Sequence, residues 1–176
     1  MKVAPFGSWA SPITSELIVA GSVRLGDVAI DGDDLYWHES RPAEAGRYVI
    51  VRRAADGTTS DVNPAPSNAR TRVHEYGGGS FKIVDGIVFY VEYADQRLYR
   101  QEPGAGPSPI TPGIGLRYAD FAADRARNRL VCVREDHRAS DKDAENTIVA
   151  VDMSGAGLDD GGVVLVRGND FYSNPR

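Results

Sequence analysis

The apolar residues of this chain fall into short runs rich in β-branched and aromatic side chains, which is the pattern of β-strands. The runs are LYW at 35–37, YVIV at 48–51, IVFYV at 87–91, LVCV at 130–133, TIVAV at 147–151 and VVLV at 163–166. Turn pairs such as Asp31-Gly32 and Asp85-Gly86 separate them. Only residues 11–20 could form a helix, and the β-branched residues among them disfavour that conformation. The pattern therefore predicts an all-β protein.

The strands recur as a unit of similar sequence. A turn followed by an apolar run opens each unit: AIDGDDLYW at 29–37, KIVDGIVFY at 82–90 and AADRARNRLVCV at 122–133. A second strand then ends at a turn glycine, which is Gly57, Gly104 or Gly155. A period of roughly 40–50 residues with several strands is typical of a β-propeller blade. A β-sandwich is the rival architecture, but similarity between units is not a feature of sandwiches.

Three of these runs do not alternate between polar and apolar residues. Tyr36-Trp37, Phe89-Tyr90 and Val131-Cys132 are the central pairs, and such runs predict strands that are buried on both faces. We therefore expect a partial β-propeller of about three four-stranded blades and the start of a fourth. The expected boundaries are an N-terminal segment at 1–24, blades at 25–72, 73–117 and 118–166, and a truncated further blade at 167–176. The open blade edges of such an arc would permit self-association.

Composition and charge exclude several classes of protein. The 176 residues include one cysteine, which excludes a disulfide scaffold and a multi-cysteine zinc site. A net charge of −5 disfavours a nucleic-acid partner. No apolar run is long enough to cross a bilayer, so no membrane partner is expected. The absence of a signal-peptide core predicts a cytoplasmic protein. No nucleotide-binding, EF-hand or zinc-protease motif occurs, so no cofactor is expected.

The sequence contains no recognisable catalytic constellation. The G-x-S-x-G nucleophile motif is absent, and His38, His74 and His137 are not arranged in a way that announces a triad. The acidic stretch around His137, which includes Glu135, Asp136, Asp141 and Asp143, could hold a metal ion, but such residues on a polar loop are more often solvent-exposed. We therefore predict neither a catalytic residue nor a metal site. Cys132 lies in an apolar run and is interpreted as a small buried hydrophobe.

The densest polar segment is TRVHEYGGGSF at 71–81. His74, Glu75 and Tyr76 could line a channel or contact a substrate. Alternatively, the segment is a connection between blades, whose glycines form a bulge and whose polar side chains bond to buried backbone groups. The second interpretation is favoured. Arg117 opens the next unit at an equivalent place, and we expect it to pair with Asp120 or Glu75. Glu39 lies in a loop, HESRPAEAGR at 38–47, where exposed ion pairs are expected.

Several motifs together resemble a known family. They are FGSWASPIT at 6–14, LYWHESRPAEAGR at 35–47, TRVHEYGGGSF at 71–81, ADQRLYRQ at 94–101 and VCVREDH at 131–137. In this order they resemble the amino-terminal propeller of the prolyl oligopeptidase family of serine peptidases, in particular its acylaminoacyl-peptidase and dipeptidyl-aminopeptidase-like members. The resemblance covers nearly the whole chain.

The resemblance implies a parent enzyme in which a carboxy-terminal α/β-hydrolase domain carries the catalytic triad. That domain would be this chain's partner, and the propeller would gate the access of short peptide substrates. The chain alone is then expected to have no activity. In dipeptidyl-peptidase-type relatives a propeller glutamate binds the free amino terminus of the substrate, for which Glu39 and Glu75 are candidates. His74, Tyr76 and Arg117 are further candidate contacts.

Two other functions stay open at this point. The chain could be a stand-alone propeller-like binding module for a protein or a small ligand, closed by self-association. It could also be a small β-rich lyase or hydrolase that uses His74 and Glu75. Peptide specificity and the choice between exo- and endopeptidase activity do not follow from the sequence.

Overall fold

The computed structural model describes residues 3–8, 10–19, 21–140, 143–156 and 161–176. Within these ranges a short helix, α1 (Ser15–Val19), precedes the strands. The helix is shorter than the 11–20 stretch, and the Thr14 hydroxyl caps it by accepting the Leu17 N–H at 3.1 Å. None of the described helices is long and apolar enough to cross a membrane.

The strands form three four-stranded antiparallel sheets in chain order. The first sheet contains β1 (Arg24–Asp31), β2 (Asp34–Arg41), β3 (Arg47–Arg53) and β4 (Thr59–Asp61). The second contains β5 (Phe81–Val84), β6 (Ile87–Val91), β7 (Leu98–Gln101) and β8 (Ser108–Pro109). The third contains β9 (Leu116–Asp124), β10 (Arg129–Asp136), β11 (Glu145–Asp152) and β12 (Val163–Arg167). Short 3-10 helices, Pro42–Glu44 and Arg125–Arg127, lie in two of the turns.

The three sheets are arranged around their first strands. Strand β5 packs beside both β1 and β9, so the first strand of each sheet lies on the inner side of the arc. This is the arrangement of neighbouring propeller blades. The predicted all-β partial propeller is therefore confirmed. Residues 168–176 follow β12 without forming a further helix or strand.

The second sheet is buried on both faces, as its sequence predicts. Val88 and Tyr90 point to the first sheet, where they pack against Tyr36 and Ile50. Phe89, the residue between them, belongs to the core shared with the third sheet. Adjacent residues of a strand point to opposite faces, so a run of consecutive apolar residues fills both cores. The core between the second and third sheets also contains Leu98, Leu116, Tyr118, Leu130 and Cys132.

The first and third sheets each have one face on which no other sheet of the described residues packs, although Val73 and Tyr172 cover part of that face in the third sheet. Leu25, Val28 and Ile30 of β1 are exposed, and so are several apolar residues of β12. The prediction of burial on both faces therefore holds only in part for these sheets. Trp37 and Val131 are half-buried, because no sheet in the described residues packs on the faces to which they contribute.

The antiparallel order places two kinds of connection at the same end of each sheet. The turn between the second and third strands shares that end with the connection that leaves the fourth strand. We call it the crossover end. It includes residues 42–46, 62–80, 92–97, 110–115, 137–140 and 168–176.

Candidate substrate-contact site

The loop between β4 and β5 brings His74 to the crossover end beside the third sheet. The backbone of His74 and Glu75 has positive φ, at 57° and 66°, in a tight turn. The His74 ring stacks on Phe171 with centroids 3.8 Å apart, and its Nε2–H donates to the Tyr172 carbonyl at 3.0 Å. The side chain is only 7% exposed. His74 therefore joins the crossover loop to the C-terminal segment.

A buried carboxylate of the third sheet holds this loop in place. Glu135 of β10 is 5% exposed, and its Oε1 accepts the His74 backbone N–H at 2.7 Å. The same oxygen lies 3.3 Å from Nδ1 of the His74 ring. Its Oε2 lies 3.1 Å from Nε2 of His137. The carboxylate is thus shared by two histidines and a backbone group, which compensates for its burial.

The three glycines after Tyr76 allow the loop to approach strand β9 closely. A Cβ on Gly78 would lie 2.9 Å from Oδ1 of Asp120 and 3.1 Å from the Cβ of Ala119. The same Asp120 oxygen accepts the Gly79 N–H at 2.7 Å. The segment 71–81 therefore connects the first sheet to the second, and a carboxylate of the third sheet accepts a backbone N–H of its glycines.

An ion pair fixes the most exposed carboxylate of the loop. Arg117 Nη1 lies 2.8 Å from Glu75 Oε1, which is one of the two pairings expected from the sequence. The same nitrogen donates to the Arg72 carbonyl at 3.2 Å. The Arg117 hydrogen bond holds the pKa of Glu75 below its ordinary value, and the charges of Arg117, His137 and Arg72 act in the same direction. The Glu75 side chain is still 79% exposed and is ionised at neutral pH.

These residues border an open cavity of about 570 Å³ at the crossover end. Aromatic walls are supplied by Tyr76, which is 75% exposed, and by Phe171. The other lining side chains with ionisable groups are His74, Glu75, Glu135, His137, Asp143, Glu145 and Asp170. Carboxylates and aromatic faces both attract cations. The cavity therefore suits a cationic group such as an ammonium.

The structure does not bring Glu39 to this cavity. Its Oε1 accepts the Trp37 indole N–H at 2.8 Å, and its Oε2 accepts Nε–H of Arg41 at 2.8 Å. Arg41 also forms a bidentate pair with Asp61 at 2.6 and 2.7 Å. The expected loop position is wrong, because Glu39 and Arg41 lie in β2. The expected ion pairs are present, but side-chain exposures of 16% and 20% make them only partly exposed. Both carboxylate oxygens of Glu39 are occupied, so Glu75 is the better placed of the two candidates.

The rings of His74 and His137 both lie beside the carboxylate of Glu135, and His38 has a separate partner. His38 Nε2–H donates to the Ala69 carbonyl at 2.7 Å, and burial lowers the pKa of this ring. His74 bonds to Tyr172, and His137 lies beside Glu135. His74 and Glu75 are directed to different partners, which argues against a hydrolase or lyase built on this pair.

Two candidates from the sequence remain, the possible metal site around His137 and the thiol of Cys132. Among the described residues no three His, Cys, Asp or Glu groups form a metal-binding cluster, and Asp141 lies outside those residues. Cys132 is fully buried, which raises the pKa of its thiol. Its interpretation as a buried hydrophobe is confirmed.

Sequence reasoning missed the part of the site that lies far from 71–81 along the chain. The sequence pattern indicates Glu135 only as a possible metal ligand, and it indicates Phe171 and Asp170 only as parts of the segment after the third unit. The available signal was the repeat itself, because RGNDFYSNPR follows the third unit as the 71–81 loop follows the first. Asp143 precedes β11 and Glu145 begins it, and the position of both beside the loop depends on the packing of the sheets.

Solved structures similar to this chain are a puromycin-hydrolysing peptidase and puromycin hydrolases. A puromycin-hydrolysing peptidase of Mycobacterium tuberculosis matches 100% of this chain with 35% identity and a TM-score of 0.85. A puromycin hydrolase matches 95% with 35% identity and a TM-score of 0.81. A mutant of puromycin hydrolase complexed with PGG matches 93% with 36% identity and a TM-score of 0.81. No protein-family model and no curated protein matches the chain.

The chain spans between 27% and 29% of the length of these three structures. The match to the Mycobacterium tuberculosis peptidase covers the whole of this chain, so it includes all three sheets. The predicted resemblance of this chain to the amino-terminal propeller of prolyl oligopeptidase family peptidases is thereby confirmed.

Proposed function

We propose that this chain is the propeller portion of a serine peptidase that hydrolyses peptide bonds in short peptides. In this proposal it gates access to a carboxy-terminal α/β-hydrolase domain, and its crossover end contacts the amino terminus of the substrate. The similar structures support the proposal because they are peptidases named for the hydrolysis of puromycin, an amide with a free amino group. A cytoplasmic location stays a prediction from the sequence.

The observation that carries the substrate contact is the fixed, exposed carboxylate of Glu75 beside the cavity. Arg117 orients this carboxylate without covering it, since the Glu75 side chain is 79% exposed. The oxygen that is not bonded to Arg117 is free to accept a hydrogen bond from an ammonium group. The neighbouring ring of Tyr76 offers an aromatic wall to the first side chain of the peptide.

Calorimetric titration of the 176-residue chain tests the contact. Free trialanine should bind, and N-acetyl trialanine, which lacks the ammonium group, should bind about three- to tenfold more weakly. Glu75→Gln should remove the difference between the two ligands. Glu102→Gln is the matched control, because Glu102 pairs with Arg100 at the opposite end of the second sheet. Equal binding of both ligands to the unaltered chain would contradict the contact.

A chimera tests gating. The matching segment of the Mycobacterium tuberculosis peptidase is replaced by this chain, and hydrolysis of a tripeptide is compared with that of a long unstructured polypeptide. We expect cleavage of the tripeptide and strong exclusion of the polypeptide. A chimera that folds and cleaves both equally well would show that this propeller does not restrict access.

The uncovered sheet faces favour a second candidate function, a stand-alone binding module closed by self-association. Leu25, Val28 and Ile30 expose between 66% and 76% of their surface on the first sheet. Val163, Leu165 and Val166 expose between 43% and 67% on the third. Apolar patches of this kind commonly mark contact surfaces. Sedimentation velocity distinguishes the two candidate functions. A discrete oligomer that dissociates when Ile30→Gln is introduced would support the binding module. A chain that stays monomeric at all concentrations would oppose it.

A further inference from the structure

Two arginines at the crossover end are stacked with two tyrosines, separately from the acidic cavity. The guanidinium carbon of Arg70 lies 5.2 Å from the ring centroid of Tyr48 and 5.1 Å from that of Tyr93. The guanidinium carbon of Arg72 lies 4.3 Å from the same Tyr93 centroid. All four side chains are partly exposed. We call the group of Tyr48, Arg70, Tyr93 and Arg72 the arginine stack.

Among the described residues neither cation of the stack has an ion-pair partner within 4 Å, although the charge of Arg72 helps to lower the pKa of Glu75. In the described part of the chain neither guanidinium makes a hydrogen bond or an ion pair, and Nε of Arg72 is buried without a partner. Both guanidinium carbons lie close to the centroid of the Tyr93 ring, so they are no more than about 10 Å apart. This distance equals the electrostatic screening length at 0.1 M ionic strength. Two like charges held this close repel each other, and a bound anion would relieve the repulsion.

The backbone under the stack is held firmly. The Arg70 N–H donates to the Val91 carbonyl at 2.9 Å, and the Arg72 N–H donates to Oε1 of buried Gln96 at 2.7 Å. A cation–π contact with an aromatic face leaves the N–H groups at the edge of a guanidinium free to bond. Such an edge matches a carboxylate, which it can bind with two parallel hydrogen bonds.

The stack adjoins the acidic cavity through Arg117. The Arg72 carbonyl accepts a hydrogen bond from the same Arg117 nitrogen that pairs with Glu75. A positively charged patch therefore lies beside a negatively charged one on a single face of the protein. A short unblocked peptide has the complementary arrangement, with an ammonium at one end and a carboxylate at the other.

We propose that Arg70 and Arg72 bind the terminal carboxylate of a short peptide whose amino end lies at Glu75. The inference rests on the proposed function, which it deepens by naming the substrate class: small peptides with both termini free. Peptides with an amidated carboxy terminus would be bound less well.

Calorimetric titration with trialanine and trialanine amide tests the proposal on the unaltered chain. Amidation removes the carboxylate and should weaken binding about tenfold, the effect of losing a charge-assisted hydrogen bond. In Arg70→Gln/Arg72→Gln the free acid should bind as weakly as the amide. The control Arg100→Gln/Arg125→Gln removes two charges from the opposite end, where Arg100 pairs with Glu102 and Arg125 with Asp85, and should keep the tenfold difference.

Three outcomes overturn the inference: equal binding of acid and amide to the unaltered chain, no binding of either, or an amidation effect that persists in the folded double variant. Circular dichroism shows whether the variants fold, and the comparison of ligands on the unaltered chain stands if they do not. N-acetyl trialanine separates this inference from the proposed amino-end contact. If amidation weakens binding and acetylation does not, the carboxylate site is supported and the contact at Glu75 is rejected. If acetylation weakens binding and amidation does not, the contact at Glu75 is supported and the carboxylate site is rejected.

Discussion

The carboxylate of Glu135 accepts the backbone N–H of His74 at 2.7 Å, although 61 residues separate the two along the chain. This bond joins the third sheet to the loop that enters the second. It fixes the position of the turn that carries Glu75 and Tyr76 beside the cavity. One buried side chain thus links the packing of sheets to the geometry of the candidate site.

Removal of this carboxylate should destabilise the fold. In Glu135→Ala the buried His74 N–H loses its acceptor, which costs about 1–3 kcal/mol in the free energy of unfolding. Urea denaturation measures the change. Glu145 lies at the same cavity but is exposed, so Glu145→Ala is the control. It should change the free energy of unfolding by less than about 0.5 kcal/mol. Equal effects of the two substitutions would show that Glu135 does not anchor the loop.

A methyl group at Gly78 should also be destabilising. The added Cβ would meet Asp120 and Ala119 at 2.9 and 3.1 Å, and the loop would have to move away from β9. We expect Gly78→Ala to lower the free energy of unfolding by about 1–3 kcal/mol. Gly106→Ala is the control, because a Cβ there has no neighbour within 4 Å. A Gly78→Ala protein as stable as the control would contradict the close approach.

Burial of His38 predicts a loss of stability in mild acid. Desolvation lowers the pKa of the folded ring below its ordinary value of 6.5, so the unfolded chain takes up a proton more readily. The stabilisation that comes from keeping His38 neutral in the folded state is fully present above pH 6.5 and is lost as the pH falls below that value. The free energy of unfolding then falls by at most about 1.4 kcal/mol per pH unit. Thermal unfolding between pH 7 and 5 measures it. The slope should be smaller in His38→Gln, and an unchanged slope would assign the effect to other groups.

Removal of the arginine beside Glu75 should raise the pKa of this carboxyl. The Arg117 hydrogen bond is the largest cause of its lowered pKa, so Arg117→Gln should return it towards the ordinary value of 4.5. Titration of the side-chain carboxyl carbon by NMR follows the change. Arg100→Gln, at the opposite end of the second sheet, should leave the titration unaltered. A Glu75 pKa that is the same in Arg117→Gln and in the unaltered chain would mean that the ion pair does not persist in solution.

The isolated chain should not hydrolyse peptides. None of the three histidines is bonded to a serine hydroxyl within the described ranges, and each ring nitrogen with a partner faces a carbonyl or a carboxylate. Incubation with puromycin and with peptide amides should give no product above background. A serine-directed fluorophosphonate should likewise leave the chain unlabelled. Stoichiometric labelling of one serine would refute this expectation.

The local patterns of the sequence determined the strands, their turns and their repetition as blades. Consecutive apolar residues such as Val88, Phe89 and Tyr90 predicted a sheet covered on both sides, because adjacent residues of a strand face opposite ways. For the HEYGGG loop the pattern favoured a connection between blades over a substrate-contacting loop, since three glycines permit a close backbone approach. These features depend on neighbours in the chain, which a sequence pattern records directly.

Only the tertiary structure decided which polar groups meet. Glu39 and Glu75 were equal candidates in the sequence, and packing gave one of them two internal partners and left the other exposed beside a cavity. Glu135, Phe171 and the arginine stack join parts of the chain that are distant in sequence. Their contacts follow from the radial packing of three sheets, and the number of ways to pair distant polar residues is too large for a single sequence to specify.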